Sequence, residues 1–331
     1  MAVAAHSFAK INIGLKIGPR REDGFHELRT VYQSLALHDS IRVEVGRGTG
    51  IEVRSKDARV PKDESNTCYR IAERLMRSVR ERGRVVITIA KSLPVQGGLG
   101  GASSNAVTTL LALERALKVQ VPPEERLRMA SEVGSDLPLF LVGGTVLGVG
   151  RGEEVYPLSD LPPLDCVVVT SPVGISTPEA FAAWDKQFGD MTSGVRGAAG
   201  TKLTGGNGAH TIGMFSQRVF AWLGGTSTGV PARGGGDRAE ALLLDLVRAG
   251  IENDFERVVF PQHPELREMK RALEREGARY ASLSGSGSAV YGLFESQGAA
   301  TNAAARLKAA GIAAQATKTL TRKEYWKRIL Q

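Results

Sequence analysis

At 331 residues, 42% of them hydrophobic and 24% charged, the chain is long enough for two domains with separate cores. A formal net charge of +8 suits an acidic partner, yet the basic residues are dispersed and aromatics make up only 6%, so no nucleic-acid platform is present. The longest apolar stretch, 137–150, is too short to span a bilayer, and the N-terminus lacks the basic start and apolar core of a signal peptide. The expectation is a cytoplasmic protein acting on a small anionic molecule, not on nucleic acid or membrane. Cys68 and Cys166 lie far apart and supply neither a disulfide framework nor metal-ligand spacing, so they read as buried, reduced thiols.

In chain order, residues 7–17 and 41–45 read as strands. Asn66 reads as the N-cap of a helix with Ile71, Leu75 and Val79 inward, closed by Gly83. A strand at 85–89 precedes a glycine-rich run, which opens into a helix with Ala106, Leu110, Leu113 and Leu117 on one face. A helix at 123–133, a new segment starting at Asp136 and a strand at 146–149 complete the first half. A boundary at Pro162-Pro163 divides the chain into domains 1–162 and 163–331. Beyond it come a strand at 166–169, a short helix at 178–184, and a helix at 263–276. Strands at 278–283 and 288–294 flank Ser284 to Gly287, and a helix at 297–310 precedes a strand from Ile312. This order predicts an α+β domain with helices on one face of its sheet. Residues 189–237 hold 14 of the 39 glycines and read as an insertion, with 212–223 either a short amphipathic helix or part of an irregular loop.

The glycine-rich run consists of Pro94, Val95, Gln96, Gly97, Gly98, Leu99, Gly100, Gly101, Ala102, Ser103 and Ser104. Glycines let a backbone approach a ligand and turn its N–H groups inward, and the helix that follows adds unpaired N–H groups at the positive end of its dipole. Such a cradle suits a phosphate chain, although a turn uses the same residues. It is not a Walker A loop, because Gly-Lys-Ser/Thr is missing, and the third glycine of a dinucleotide fingerprint falls on Ser103. Lys10 stands mid-strand among apolar residues. It is either an edge lysine with its head in water or a cation held beside a carboxylate. Asp136, just before a helix, has the position of an ordinary N-cap.

Taken together, Ala9 to Leu15 with Arg21 to Leu28, the glycine run, and Ser282 to Ser288 resemble the three signature motifs of the GHMP kinase superfamily. Arg-x-Asp-Gly-Phe-His-x-Leu at 21–28, with 134–140 and Asn253-Asp254-Phe255-Glu256, is most similar to the branch that phosphorylates the 2-hydroxyl of 4-diphosphocytidyl-2-C-methyl-D-erythritol in non-mevalonate isoprenoid synthesis. The resemblance covers nearly all of the chain outside 189–237. It implies a two-domain GHMP kinase fold, with a ribosomal-protein-S5-like N-terminal domain, a ferredoxin-like C-terminal domain and the site between them. It implies ATP with Mg2+, the metal held mainly by phosphate oxygens and water with Ser103 or Ser104 in reach and no acidic ligand.

By the same resemblance, Asp136 is the base that accepts the alcohol proton and Lys10 the cation beside it. Residues 94–104 bind ATP. Phe25, where tyrosine is commoner in the family, stacks on the cytosine, His26 bonds its edge and Phe181 forms the second wall. Asn12 contacts the erythritol hydroxyls. Each has a plainer reading as well: a surface or core histidine, a core phenylalanine, an asparagine bonded to backbone. The alternatives in function are another small-molecule kinase of this superfamily, of the mevalonate, homoserine or sugar type, and a non-catalytic regulator of the same fold.

Overall fold

The computed structural model describes residues 2–95, 97–192 and 252–330; the reading of a helix at 212–223 therefore lies outside the described residues. Two long strands organise the first half. β1 (Ala2–Arg20) and β2 (His26–Gly46) pair antiparallel from Ala2↔Glu44 to Arg20↔His26. The register shifts between Phe8 and Lys10 and again between Asn12 and Gly14, so irregularities bracket the two polar residues of this apolar run. β2 then serves β4 (Arg84–Ala90) and β5 (Thr145–Val149), with β3 (Gly50–Ser55) and β6 (Glu154–Pro157) at the edges of the order β3-β4-β2-β5-β6. Helices α1 (Thr67–Ser78), α2 (Gly101–Leu117), α3 (Pro123–Val133) and the single turn α4 (Leu137–Phe140) pack on this sheet. Ile71, Leu75, Leu110, Leu113 and Met129 meet Val43 and Ile87 there. Asn66 caps α1 by accepting from the Cys68 amide at 2.8 Å, as its sequence position predicts. The helix ends before Gly83, because Arg80 takes φ +55.

The second sheet is antiparallel, in the order β10 (Ala314–Lys318), β7 (Asp165–Thr170), β9 (Ala289–Phe294), β8 (Tyr280–Leu283). Numbered within this half, that is 4-1-3-2, the ferredoxin-like arrangement. Helices α5 (Thr177–Thr192), α6 (Glu256–Gln262), α7 (Pro264–Arg275) and α8 (Gln297–Ala309) supply its second layer. β7 explains why its sequence is an unbroken apolar run. Val167 and Val169 face the helical core with Leu273 and Val290, while Cys166 and Val168 join a separate core with Ile11, Ile13 and Leu35 of the first sheet. A strand buried on both faces has no polar side to show.

The chain then returns. α9 (Arg322–Ile329), opened by a Thr321–Glu324 capping box, lays Tyr325 and Ile329 into the first core. The terminal segment thus packs on the body of its own chain. Both cysteines are buried free thiols, and burial pushes Cys68 up to about 12. No helix among the described residues is long and apolar enough to cross a membrane.

Candidate active site

The glycine loop is held from both halves of the molecule. The carbonyls of Gly97, Gly98 and Leu99 accept from the Ala289 amide (3.0 Å), the Ser284 hydroxyl (2.9 Å) and the Lys10 amide (3.0 Å). With those oxygens spent, the N–H groups of Gly98, Leu99 and Gly100 make no bond among the described residues. Gly98 and Gly100 both adopt left-handed φ, +72 and +70, and neither has room for a side chain. A Cβ on Gly98 would strike the Ser284 carbonyl, and one on Gly100 would come within 2.8 Å of Phe140 and 3.0 Å of Lys10. The approach to the loop is fixed by Asp39, a fully buried carboxylate that accepts from the Ser92 and Leu93 amides at 2.7 and 2.8 Å, from Lys91 and from Asn105.

A cavity of about 290 Å³ opens on one side of this loop, between the N-termini of α1 and α2. The Thr67 hydroxyl donates to the Ala102 carbonyl at 2.9 Å and ties the two helix starts together. The positive ends of two helices and the loop amides therefore border one space, an arrangement that suits a polyphosphate.

On the other side lies a second cavity of about 360 Å³, and Gly98, Gly100 and Ser103 line both. Its floor carries Lys10, 3.7 Å from Asp136 Oδ2. Asp136 has helical φ and ψ of −82 and −6 and caps nothing, so its carboxylate is free for another role. The Lys10 amine donates to Asn12 Oδ1 at 2.7 Å, Asn12 Nδ2 donates to the Thr30 hydroxyl at 2.7 Å, and that hydroxyl donates to the Gly14 carbonyl. Burial lowers the Lys10 amine below the usual lysine range, and Asp136 opposes the shift. Burial, with Asp136 close by, also raises the Tyr32 phenol well above its ordinary value. It stays protonated and donates to Asp136 Oδ1 at 3.2 Å.

The far end of the second cavity is aromatic. His26 is buried and its ring lies nearly parallel to Phe181, centroids 5.3 Å apart, with Phe255 edge-on behind Phe181 at 5.0 Å. Phe25 is half exposed and carries the Arg151 guanidinium over its face at 5.0 Å.

The first stretch of the sequence, residues 66–144, matches the family model described as GHMP kinases N terminal domain, and residues 239–313 match GHMP kinases C terminal. A 4-diphosphocytidyl-2-C-methyl-D-erythritol kinase of Solibacter usitatus is 34% identical over 88% of this chain and 81% of its own length. The protein of that name in Rhodococcus jostii is 33% identical over 94% and 89%. A crystal structure of 4-(cytidine 5'-diphospho)-2C-methyl-D-erythritol kinase superposes with a TM-score of 0.70 at 29% identity, covering 96% of this chain and 98% of that one. The chain belongs to this kinase family.

Set within the GHMP fold, the sequence motifs land mostly on the two cavities. Lys10, Asn12, Phe25, His26, Asp136 and Phe181 line the second, and Pro94, Val95, Gly97, Gly98, Leu99, Gly100, Gly101, Ala102 and Ser103 line the first. Gln96 lies outside the described residues. Ser104 does not reach the cleft: its hydroxyl is fully buried and accepts from Ser7 of β1 at 2.8 Å. His26 comes to the cavity with one ring nitrogen hydrogen-bonded and the other not. Nδ1 lies 3.0 Å from the Gly18 carbonyl, and Asp185 Oδ1 approaches Nε2 to 2.8 Å, off the line of an N–H hydrogen bond. Asn12 is likewise bonded within the scaffold, to Lys10 and Thr30. The Asn253-Asp254-Phe255-Glu256 motif works as a clip. Asn253 donates to the Leu283 and Gly285 carbonyls, Asp254 takes the Lys16 amine at 2.9 Å, and Glu256 accepts from the Leu283 amide at 2.9 Å. Tyr32, Asp39 and Arg151 went unread in the sequence. A tyrosine and an aspartate on a strand, and an arginine between glycines, have no local signature. Their meaning comes from partners between 52 and 126 positions away in the chain.

Proposed function

We propose that the chain transfers the γ-phosphoryl group of ATP to the 2-hydroxyl of 4-diphosphocytidyl-2-C-methyl-D-erythritol. One observation carries this reading: a phosphate-type cavity and an aromatic-ended cavity meet at Gly98, Gly100 and Ser103, with Lys10 and Asp136 at the junction. An alcohol is a poor nucleophile until a positioned base accepts its proton. Asp136 takes that proton at a carboxylate oxygen, Tyr32 orients the carboxylate through Oδ1, and the Lys10 cation draws negative charge toward the attacking oxygen. The loop amides and the starts of α1 and α2 hold the phosphate chain in line. Phe25 and Phe181 flank the base, with His26 beside them. Magnesium would be held by phosphate oxygens and water, with Ser103, which lines both cavities, in reach; bound there, it would neutralise charge on the transferred group.

The same reading takes 1–162 and 163–331 as the two domains, supported by the second sheet's start at Asp165. It takes the cytoplasm as the site of action, supported by two buried free thiols. The test is ADP release from Mg-ATP with 4-diphosphocytidyl-2-C-methyl-D-erythritol, run beside mevalonate, homoserine and galactose. Turnover with the cytidyl compound alone is expected. Turnover only with another alcohol would keep the Lys10–Asp136 pair and discard the base pocket.

A further inference from the structure

We propose that Arg151 binds the diphosphate of the alcohol substrate and so sets the preference for a nucleoside diphosphate conjugate over a bare alcohol. The proposal rests on the substrate reading above and adds a residue that no motif in the sequence marks. A substrate with a base at one end and a reactive hydroxyl at the other must lay its diphosphate across the middle of the second cavity. The lining there holds one lysine and one arginine, Lys10 and Arg151. Lys10 is committed to the catalytic end, paired with Asp136 and bonded to Asn12.

Arg151 stands between the ends. Its guanidinium lies over the Phe25 ring at 5.0 Å. The next residue, Gly152, is pressed against the catalytic end, where a Cβ would come within 2.6 Å of the Tyr32 hydroxyl and 4.0 Å of Asp136 Oδ1. The turn that carries Arg151 is fixed on both sides: the Leu28 amide donates to the Gly150 carbonyl at 2.6 Å, and the Gly152 amide to the Val149 carbonyl at 2.9 Å. Gly150 and Gly152 take φ of +69 and +101, so the arginine sits at the tip of a tight hairpin that only flanking glycines allow.

Glu153 orients the head group without using it up. It accepts from the Arg151 amide at 2.6 Å and from Nε at 3.0 Å. The two terminal amino groups of the guanidinium have no hydrogen-bonding partner among the described residues. They keep the planar fork that matches two oxygens of a phosphate group. A guanidinium over the base-stacking ring, with two amino groups unspent and its neighbour Gly152 against the catalytic end, is placed for the bridge between nucleoside and alcohol.

The experiment is calorimetric binding of cytidine and of CDP, without magnesium and with saturating ADP filling the first cavity. The wild-type chain should bind CDP at least about tenfold more tightly than cytidine. Arg151→Gln should bring CDP to within about twofold of cytidine while leaving cytidine itself within about twofold of wild type, and Arg151→Lys, which keeps the charge but not the fork, should fall between. In turnover, Arg151→Gln should raise KM for the cytidyl alcohol about tenfold and leave KM for ATP unchanged. An unaltered CDP-to-cytidine ratio in Arg151→Gln would overturn the proposal. So would equal weakening of both ligands, which would make Arg151 a brace for Phe25. A wild-type chain that binds no cytidine would instead remove the base-pocket reading itself, and the proposal with it.

Discussion

Burial works against the charge of Lys10, and the balance has a pH signature. Because desolvation lowers its amine below the ordinary lysine range, the cation is present below that depressed value and lost above it. Activity should therefore fall on the alkaline side earlier than an exposed lysine would dictate, and Lys10→Arg, which stays charged, should move that limb upward. Stability runs the other way. The unfolded chain holds the proton more tightly, so the Lys10 contribution to stability rises with pH between the folded and the free lysine values. A kcat–pH profile recorded beside melting temperatures checks this: activity lost while the fold holds is expected, and coincident loss of both would refute it. Asp136→Asn keeps the shape and removes the proton acceptor. It should cost about 10²–10⁴-fold in kcat, with ATP binding retained by calorimetry. Tyr32→Phe removes only the hydroxyl that orients Asp136 Oδ1. A loss of about 1 kcal/mol, roughly fivefold in kcat, is expected, with KM for ATP unmoved.

The glycine loop shows which parts of an element a sequence can and cannot disclose. Its existence, its position after a strand and its opening into a helix were legible, because four clustered glycines between a strand pattern and a helical pattern mark a loop, whether cradle or turn. The different reasons for each glycine were not. Gly98 is required by a carbonyl of the second half, Gly100 by Phe140 and Lys10, and Gly101 only begins α2, its nearest obstacle being the far end of Lys91 at 3.3 Å. Gly100→Ala combines an overlap with a left-handed φ, and should cost roughly 1–3 kcal/mol of stability and raise KM for ATP. Gly101→Ala, in a helical first turn, should be near neutral by melting temperature. Equal effects from the two would mean that the loop tolerates side chains generally. The same limit explains Ser103 and Ser104. α2 is buried along most of its length, so no polar face distinguishes the serine that lines the cavities from the one packed on Ser7.

At the scale of the whole molecule, the parts hardest to read were those made by distant segments meeting. Alternating strands and helices in the second half announced an α+β sheet, and that sheet is there in ferredoxin-like order. Nothing local said that β7 would bury its other face on β1 and β2, or that the last helix would cross back to the first half. That return has a consequence for catalysis. Asp136 is followed by α4, four residues long and too short to hold itself. Leu137, Leu139 and Phe140 bury it in the first core, and Tyr325 of α9, fully buried, adds a hydroxyl that donates to the Phe140 carbonyl at 2.7 Å. Trp326 Nε1 donates to the Val142 carbonyl at 3.0 Å just beyond. The tail is thus a splint for the segment that carries the base. Tyr325→Phe, losing one buried hydrogen bond, should cost about 1 kcal/mol of stability and little activity. Tyr325→Ala opens a cavity as well and should cost roughly 3–5 kcal/mol. At temperatures where it remains folded, its kcat should fall while KM for ATP stays put, because Tyr325 and Trp326 bond the Phe140 and Val142 carbonyls just after Asp136, and none of these four residues lines the first cavity. Titrating ATP against each variant and normalising kcat to the folded fraction separates the two effects. A Tyr325→Ala protein with undiminished kcat per folded molecule would show that Asp136 is positioned without the tail, by the core packing of α4 together with Lys10 and Tyr32.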